Sequence, residues 1–130
     1  MIDHLDFAVS NLARSREFYV LALAPLGITA LLDVKRDNGS EGTGFGSSGV
    51  PKFWIGKGQP TSGRLHIAFR AGSNEMVNAF HHAAVEAGGT DNGKPAMRPK
   101  YGEFYYAAFV LDPDGHNIEA VCRTEDLCHA

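Results

Sequence analysis

The sequence predicts an α+β domain that contains the same strand–helix–strand–strand–strand unit twice. Residues 2–9 and 64–70 both alternate apolar and polar side chains with a period of two, as half-buried strands do. Each of these strands carries one histidine, His4 or His66, on the face opposite its apolar ridge. Each is also followed by a helical pattern and then by further strands. A long repeat that is present only twice indicates a duplicated module rather than a solenoid.

The first module is expected at about residues 1–57, and Ser10 or Asn11 can cap its helix. The segment 40–49 is rich in glycine and serine and contains the pattern G-x-G-x-x-G. No helical pattern follows it, so we interpret it as a flexible loop or an irregular strand rather than a dinucleotide-binding motif. The other expected elements are a strand at 2–9, a helix at 11–24 and strands at 28–34 and 52–56.

The second module is expected at about residues 63–123, within a single domain that spans residues 1–130. Ser73 is a suitable N-cap for its helix, and Gly88 ends that helix. The helix should bury one face, made of Met76, Val77, Phe80, Ala84 and Val85. The other expected elements are a strand at 64–70, a polar stretch with two prolines at 90–99, a strand at 105–111, a turn at 112–115 and a strand at 117–123.

Composition and charge limit the class of protein. The chain has 130 residues, of which 44% are hydrophobic and 21% are charged, as in a globular domain. A formal net charge of −3 gives no general attraction to nucleic acid or to an anionic membrane. No secretion signal is recognisable, and no apolar run is long enough to span a bilayer. We therefore expect a cytoplasmic protein in which Cys122 and Cys128 are free thiols.

A carboxylate joins the two histidines as a candidate metal ligand. In the last predicted strand, Glu119 lies on the face opposite Ile118 and Ala120. Two histidine nitrogens and one carboxylate suit a divalent ion with open positions, as in non-haem Fe(II) sites, and catalytic zinc can use a related set with water. The alternative is that His4, His66 and Glu119 are unrelated side chains that face solvent or form ordinary hydrogen bonds.

Three segments of the chain carry a family resemblance: IDHLDFAV with SREFY at 2–9 and 15–19, LHIAF at 65–69, and FVLDPDGHNIE at 109–119. They resemble the vicinal oxygen chelate superfamily, which includes glyoxalase I, extradiol dioxygenases, fosfomycin-resistance transferases and bleomycin-resistance binding proteins. The resemblance implies paired βαβββ modules that form a half-barrel cleft. It also implies that His4, His66 and Glu119 hold a divalent metal ion (Fe, Mn, Zn, Ni or Co).

One departure from the family bears on the reaction. Glyoxalase I enzymes of this type have a fourth ligand, a glutamate or glutamine, on the last strand of the first module. That strand here reads Lys52-Phe53-Trp54-Ile55 and offers neither. A three-ligand set is more similar to the dioxygenase and fosfomycin-transferase branches. The sequence therefore argues against true glyoxalase I activity.

Further residues are candidates for contact with a substrate. Aromatic side chains can line a pocket, arginine can bind an anionic group through its fork, and a carboxylate can act as a general base. The alternatives are core packing for the aromatic residues and solvated loop charges for the others. The substrate-binding candidates are Trp54, Arg70, Arg98, Tyr101 and Tyr105, and the candidate base is Glu103.

These observations predict a metal-dependent enzyme that acts on a small oxygen-rich molecule. The reaction type (lyase, transferase or dioxygenase) stays open. A non-catalytic protein that binds a small-molecule drug in the same cleft is the alternative. The resemblance also implies a homodimer, because members with a single pair of modules commonly build their clefts across or beside a dimer interface.

Overall fold

The computed structural model describes residues 1–123 and shows the predicted order of elements twice. The first module consists of β1 (Leu5–Val9), α1 (Leu12–Leu23), β2 (Thr29–Lys35), β3 (Glu41–Gly46) and β4 (Phe53–Lys57). The second consists of β5 (His66–Arg70), α2 (Asn74–Glu86), β6 (Thr90–Met97), β7 (Tyr106–Leu111) and β8 (Asn117–Cys122). Short 3-10 helices lie at Ala24–Leu26 and Pro99–Tyr101.

The two modules form two sheets with the same topology. The strand orders are β1-β4-β3-β2 and β5-β8-β7-β6. In each sheet the first strand of the module pairs in parallel with the last, and the other pairs are antiparallel. The predicted α+β class and the paired modules are confirmed. This topology places the start of each module directly beside its final strand, which positions the candidate metal ligands.

The helices begin where the sequence indicates, but the inner face of α2 is narrower than expected. Side-chain oxygens of Asn11 and Ser73 accept hydrogen bonds from backbone N–H groups in the first turns of α1 and α2. On α2 the buried stripe is Val77, Phe80 and Ala84. The prediction was wrong for Met76 and Val85, which are 40% and 39% exposed. Met76 directly precedes Val77, and Val85 directly follows Ala84. One position along a helix turns a side chain by about 100°, so both point away from the buried stripe.

Two polar segments form strands. The segment 40–49 contains β3, so its strand interpretation is confirmed. The stretch 90–99 was predicted only as polar, and this was wrong, because it contains β6. β6 is an edge strand with register shifts around Gly93. An edge strand of this kind tolerates polar residues and proline, since one side of it makes no ladder hydrogen bonds.

The modules are joined by a buried polar link and by packed aromatic rings. The Tyr19 hydroxyl on α1 donates a 2.5 Å hydrogen bond to Asp112 Oδ2 in the β7–β8 turn. Asp112 Oδ1 accepts from the backbone N–H groups of Asp114 and His116. Burial, aided by the Asp112 carboxylate, raises the pKa of Tyr19 well above its usual value. Contacts such as the edge-on approach of Phe53 to Phe69, with centroids 5.0 Å apart, continue the core between the modules.

Two expectations about the chain's environment can be compared with the structure. Cys122 is disulfide-bonded, so the expectation of a free thiol at that position was wrong. Cys128 lies outside the described residues. Within residues 1–123, neither helix has the length and apolar character needed to cross a membrane.

Candidate metal and ligand site

His66 and Glu119 lie side by side on one face of the second sheet. β5 and β8 are parallel neighbours, with Ala68 opposite Glu119 in the register. Because side chains alternate along a strand, His66 and Glu119 project from the same face. His66 Nε2 lies 2.8 Å from Glu119 Oε1. Glu119 is only 1% exposed, so its carboxylate is stabilised by hydrogen bonds to neighbouring side chains rather than by water.

Tyr105 holds the second oxygen of the same carboxylate. Its hydroxyl donates a hydrogen bond to Glu119 Oε2. Burial and this bond raise the pKa of Tyr105 to about 12, so the phenol keeps its proton as a donor at neutral pH. Glu119 is thus fixed from both sides, with Oε1 toward His66 and Oε2 toward Tyr105.

His4 occupies the equivalent place in the first module but does not join this pair. Its Nδ1 lies 2.8 Å from Asp3 Oδ1, and its side chain is 60% exposed. Across residues 1–123, no group of three histidine, cysteine, aspartate or glutamate side chains is arranged to hold a metal ion. A single chain therefore brings together His66 and Glu119 and leaves His4 on a separate face.

That separate face forms a cavity of about 690 Å³, which we call the first-module cleft. Its lining includes His4, which directly precedes β1, and also Asp6 and Ala8 of β1, Gly42 of β3, and Trp54 and Gly56 of β4. β4 presents Trp54 and Gly56 to the cleft, because they are the register partners of Asp6 and Ala8. As the sequence indicated, this strand offers no carboxylate or amide beside His4.

Charged side chains at the edge of the first-module cleft are partly paired with one another. Glu41 Oε2 lies 3.3 Å from Lys57 Nζ, and Glu41 Oε1 lies 3.9 Å from Lys35 Nζ. Glu41, Lys57 and Arg36 all line the cleft. Exposed pairs of this kind contribute little to stability, so their charges remain available to a ligand.

The arginine candidates have different surroundings. Arg98 Nη2 donates to the backbone oxygen of Lys94, and the guanidinium lies over the Phe109 ring at 5.3 Å. Arg98 thus has contacts within its own module. Arg70 is exposed at the end of β5, on the same face as His66.

The remaining two candidates lie near the start of β7. The Tyr101 ring packs against Tyr105, with centroids 5.4 Å apart, and Lys100 lies over Tyr101. Glu103 is exposed and makes no hydrogen bond or ion pair with another residue of the described chain. Tyr101 therefore lies next to Tyr105, which binds Glu119. Among the described residues, Glu103 is an unpaired surface carboxylate.

Sequence reasoning missed Asp6, Phe109 and the glycines of the first-module cleft. Asp6 follows His4 by two residues, so strand alternation alone places both on one face. Phe109 is the register partner of Glu119 on β7, and its ring lies 6.0 Å from that of His66. This cross-strand relation depends on the register, which the sequence does not display.

Comparisons with known proteins agree with this architecture. The family model of the Glyoxalase/Bleomycin resistance protein/Dioxygenase superfamily matches residues 1–120. A glyoxalase/bleomycin resistance protein from Albidiferax ferrireducens T118 is 29% identical, with 94% of this chain and 98% of that chain covered and a TM-score of 0.71.

Two more distant structures share the fold. Glyoxalase I from Zea mays is 20% identical, with 95% of this chain and 45% of that chain covered and a TM-score of 0.72. A mutant of the fosfomycin resistance protein FosX from Listeria monocytogenes, complexed with Mn(II) and 1S,2S-dihydroxypropylphosphonic acid, is 18% identical. There 98% of this chain and 95% of that chain are covered, with a TM-score of 0.66. Because the family model covers nearly the whole chain, this protein belongs to the Glyoxalase/Bleomycin resistance protein/Dioxygenase superfamily.

Proposed function

We propose that this protein is a divalent-metal-dependent enzyme that acts on a small oxygen-rich substrate. The observation that carries the proposal is the contact between His66 Nε2 and Glu119 Oε1 at 2.8 Å. The fosfomycin resistance protein with which this chain shares its fold was crystallised with Mn(II). The reaction, whether of lyase, transferase or dioxygenase type, is left open by the residues present.

The donor atoms of the pair suit such an ion. The pair offers one imidazole nitrogen and one carboxylate oxygen on the same sheet face, and it contains no thiolate. Nitrogen and oxygen ligands of this kind suit divalent ions such as Mn²⁺, Fe²⁺ and Zn²⁺. A divalent ion bound there would polarise a substrate oxygen and stabilise negative charge on it. Tyr105 contributes by fixing the carboxylate orientation, as outer partners of metal ligands do.

The third ligand, His4, would come from a second copy of the chain. His4 is exposed on its own face, and both β1 and β5 are edge strands of their sheets. A two-fold dimer that set the first-module face of one copy against the second-module face of the other would complete two identical sites. We therefore propose a homodimer in which each site combines His4 with His66 and Glu119 of the other copy.

The remaining candidates have proposed roles in substrate binding. Arg70, exposed on the His66 face, could bind an anionic group of the substrate. Tyr101 could contact its apolar part, and Glu103, which is unpaired in the described structure, could accept a proton. Arg98 would act mainly by supporting Phe109 beside His66.

A non-catalytic small-molecule binding protein is the second candidate. The size of the first-module cleft and its single tryptophan support this alternative, because aromatic-lined clefts suit drug-sized ligands. It does not require an ion at His66 and Glu119. Metal binding therefore separates the two candidates.

Mixed dimers provide the sharpest test of the shared metal site. His4→Ala and Glu119→Ala chains are prepared separately, and mixed dimers are then isolated by two different affinity tags. Each variant alone should bind no Mn²⁺, Fe²⁺ or Zn²⁺ after reconstitution. In the mixed dimer one site has lost both groups, and the other is intact. We expect about one metal ion per mixed dimer by elemental analysis.

The outcomes distinguish the possible arrangements. Failure of the mixed dimer to recover any metal would contradict a site shared between copies. Absence of metal from the unaltered protein would contradict the enzyme proposal itself and favour the small-molecule binding protein. His82→Ala, an exposed histidine on α2, is the matched control and should bind as much metal as the unaltered chain.

A further inference from the structure

Part of the first-module cleft has a floor without side chains. Ala8, Gly56, Gly42 and Val34 are successive register partners, so they form one row across β1, β4, β3 and β2. The two middle positions are glycine. Neighbouring strands lie about 4.8 Å apart, so the row contains a strip of bare backbone roughly 10 Å across. We call this strip the glycine floor (Gly42 and Gly56).

Trp54 stands beside the glycine floor in a fixed position. It belongs to the next row, where its register partner on β3 is Gly44. A Cβ atom on Gly44 would lie 2.8 Å from Cε2 and Cζ2 of the indole and 2.8 Å from Pro51 Cβ. The indole therefore lies directly over Gly44 and beside Pro51. Trp54 also lines the cleft, so part of the ring remains accessible to a ligand.

A hydrogen-bond acceptor borders the same strip. A Cβ atom on Gly56 would lie 3.8 Å from Asp6 Oδ1, so this carboxylate oxygen reaches the edge of the glycine floor. An ionised carboxylate only accepts hydrogen bonds. A ligand on the floor would therefore be favoured if it carried a hydroxyl or amino hydrogen at the edge next to Asp6.

We propose that the glycine floor and Trp54 bind a planar, conjugated ring system that carries a hydrogen-bond donor. Glycine lets a ligand approach the backbone closely, and a flat ring can lie on the strip and contact the indole at once. A puckered saturated ring of the same size cannot make both contacts. The inference rests on the proposed function in one respect: it names the substrate class for the proposed site, to which this cleft contributes His4.

Two probes of matched size test this selectivity without any metal. Trp54 is the only tryptophan, so its indole N–H gives a single signal in a ¹⁵N-correlated NMR spectrum. The full-length protein, free of metal, is titrated with 2-naphthol and with decahydro-2-naphthol. We expect 2-naphthol to shift the indole signal and to bind at least about tenfold more tightly than the saturated alcohol.

A methyl group on the floor tests the geometry. In Gly56→Ala the new Cβ would meet its nearest neighbour, the Glu41 backbone oxygen, at 3.5 Å, which is an ordinary contact. This variant should keep its fold and lose about tenfold or more in affinity for 2-naphthol. Gly72→Ala adds the same methyl in the second module, where its nearest contact is the flexible end of the Met76 side chain at 3.3 Å, and should bind like the unaltered chain.

Three results would overturn the proposal. They are equal affinity for the two probes, an unshifted indole signal up to the solubility limit of 2-naphthol, and unchanged affinity in a folded Gly56→Ala variant. None of these results depends on metal. Loss of the metal-dependent function would leave the probe titration unaffected, and failure of the titration would leave the metal measurements intact.

Discussion

The two sheets present rows of equivalent residues that differ in chemistry. In the first module one row consists of Asp6, Trp54, Gly44 and Leu32. This row begins two residues after His4. The row that begins two residues after His66 in the second module consists of Ala68, Glu119, Phe109 and Gly93. Trp54 thus occupies the position that Glu119 holds in the other sheet. Where one module has a buried carboxylate, the other has an indole over a glycine.

This difference indicates a division of roles between duplicated halves. The second-module face holds two donor atoms 2.8 Å apart and surrounds them with Tyr105 and Phe109. The first-module face supplies a histidine and an open cavity of about 690 Å³. The two modules share the strand order and the position of the histidine. Under the proposed function, the different side chains of these rows suit one face to ion binding and the other to a ligand.

The largest expected effect comes from removing the carboxylate of the second face. Glu119→Ala takes away a proposed metal ligand and the acceptor for Tyr105. Loss of outer partners of metal ligands typically costs 10–100-fold in affinity, so loss of a ligand should cost more than about 100-fold. Calorimetric titration with Mn²⁺ or Zn²⁺ measures this. Tyr105→Phe removes one of the two Glu119 contacts and should cost about tenfold.

His81→Ala is the control for the Glu119 experiment. His81 Nε2 also lies 2.8 Å from a carboxylate oxygen, that of Asp91, but on the α2–β6 side of the same module. Its loss should leave metal affinity unchanged. Equal losses in the His81 and Glu119 variants would mean that ion binding is not localised to the sheet face.

A second prediction concerns the link that keeps the two modules together. Asp112→Ala removes the acceptor of the Tyr19 hydroxyl and of two backbone N–H groups. Because the site is buried, we expect unfolding to become easier by about 2–3 kcal/mol. Urea unfolding followed by Trp54 fluorescence and by far-ultraviolet circular dichroism should show one shared shift. Separate transitions would indicate that the modules unfold independently.

Ser10→Ala provides the comparison for this link. Ser10 bonds Asp114 in the same turn, but the contact is exposed. Its loss should change the unfolding free energy by less than about 1 kcal/mol. An effect equal to that of Asp112→Ala would mean that burial of the Tyr19–Asp112 contact adds nothing.

Local patterns were sufficient to predict most of the fold. Strand alternation and helix capping gave the order of elements in both modules, including the caps at Asn11 and Ser73. β6 was missed because an edge strand is half solvated and needs no apolar alternation, so 90–97 resembles a loop in composition. Met76 and Val85 were misplaced because apolar residues beside a helical stripe look the same in sequence as residues within it.

The candidate site was harder to predict, since it depends on register. Pairing of β5 with β8 puts His66 beside Glu119, and the family resemblance, not the pattern alone, implied that pairing. Nothing local to Tyr105 indicates that its hydroxyl reaches Glu119, because Tyr105 directly precedes β7 and comes near Glu119 only through the pairing of β7 with β8. The exposed position of His4 is a property of a single chain, and the sequence contains no direct signal for it.

A third prediction exchanges the chemistry of the two faces. Trp54→Glu places a carboxylate at the position equivalent to Glu119, beside His4. In the proposed dimer it would supply a fourth ligand, so metal affinity should rise by about tenfold. The same change removes the indole and should abolish binding of 2-naphthol to the first-module cleft. Competition with a chelator measures affinity, and Trp54→Leu, which removes the indole without adding a carboxylate, should leave metal affinity unchanged.

The smallest expected effect lies on the outer sides of the sheets, where each helix is tied to a neighbouring strand. Arg16 on α1 makes two 2.9 Å hydrogen bonds to Asp33 on β2, and His81 on α2 bonds Asp91 on β6. The Arg16 hydrogen bonds lower the pKa of Asp33, and the His81 hydrogen bond lowers that of Asp91. A carboxyl group whose pKa is lower in the native state than in the unfolded state stabilises the fold at pH values above the unfolded pKa of about 3.9. This stabilisation is lost as the pH falls through the native pKa.

Asp33→Asn should therefore reduce stability at pH 7 by less than about 1 kcal/mol, because the pair is largely exposed. The difference from the unaltered chain should shrink between about pH 4 and pH 2, where the native carboxylate also becomes protonated. Thermal unfolding across this range measures it. The same experiment with Asp91→Asn compares the modules. A pH-independent difference in both variants would mean that these aspartates contribute through uncharged hydrogen bonds alone.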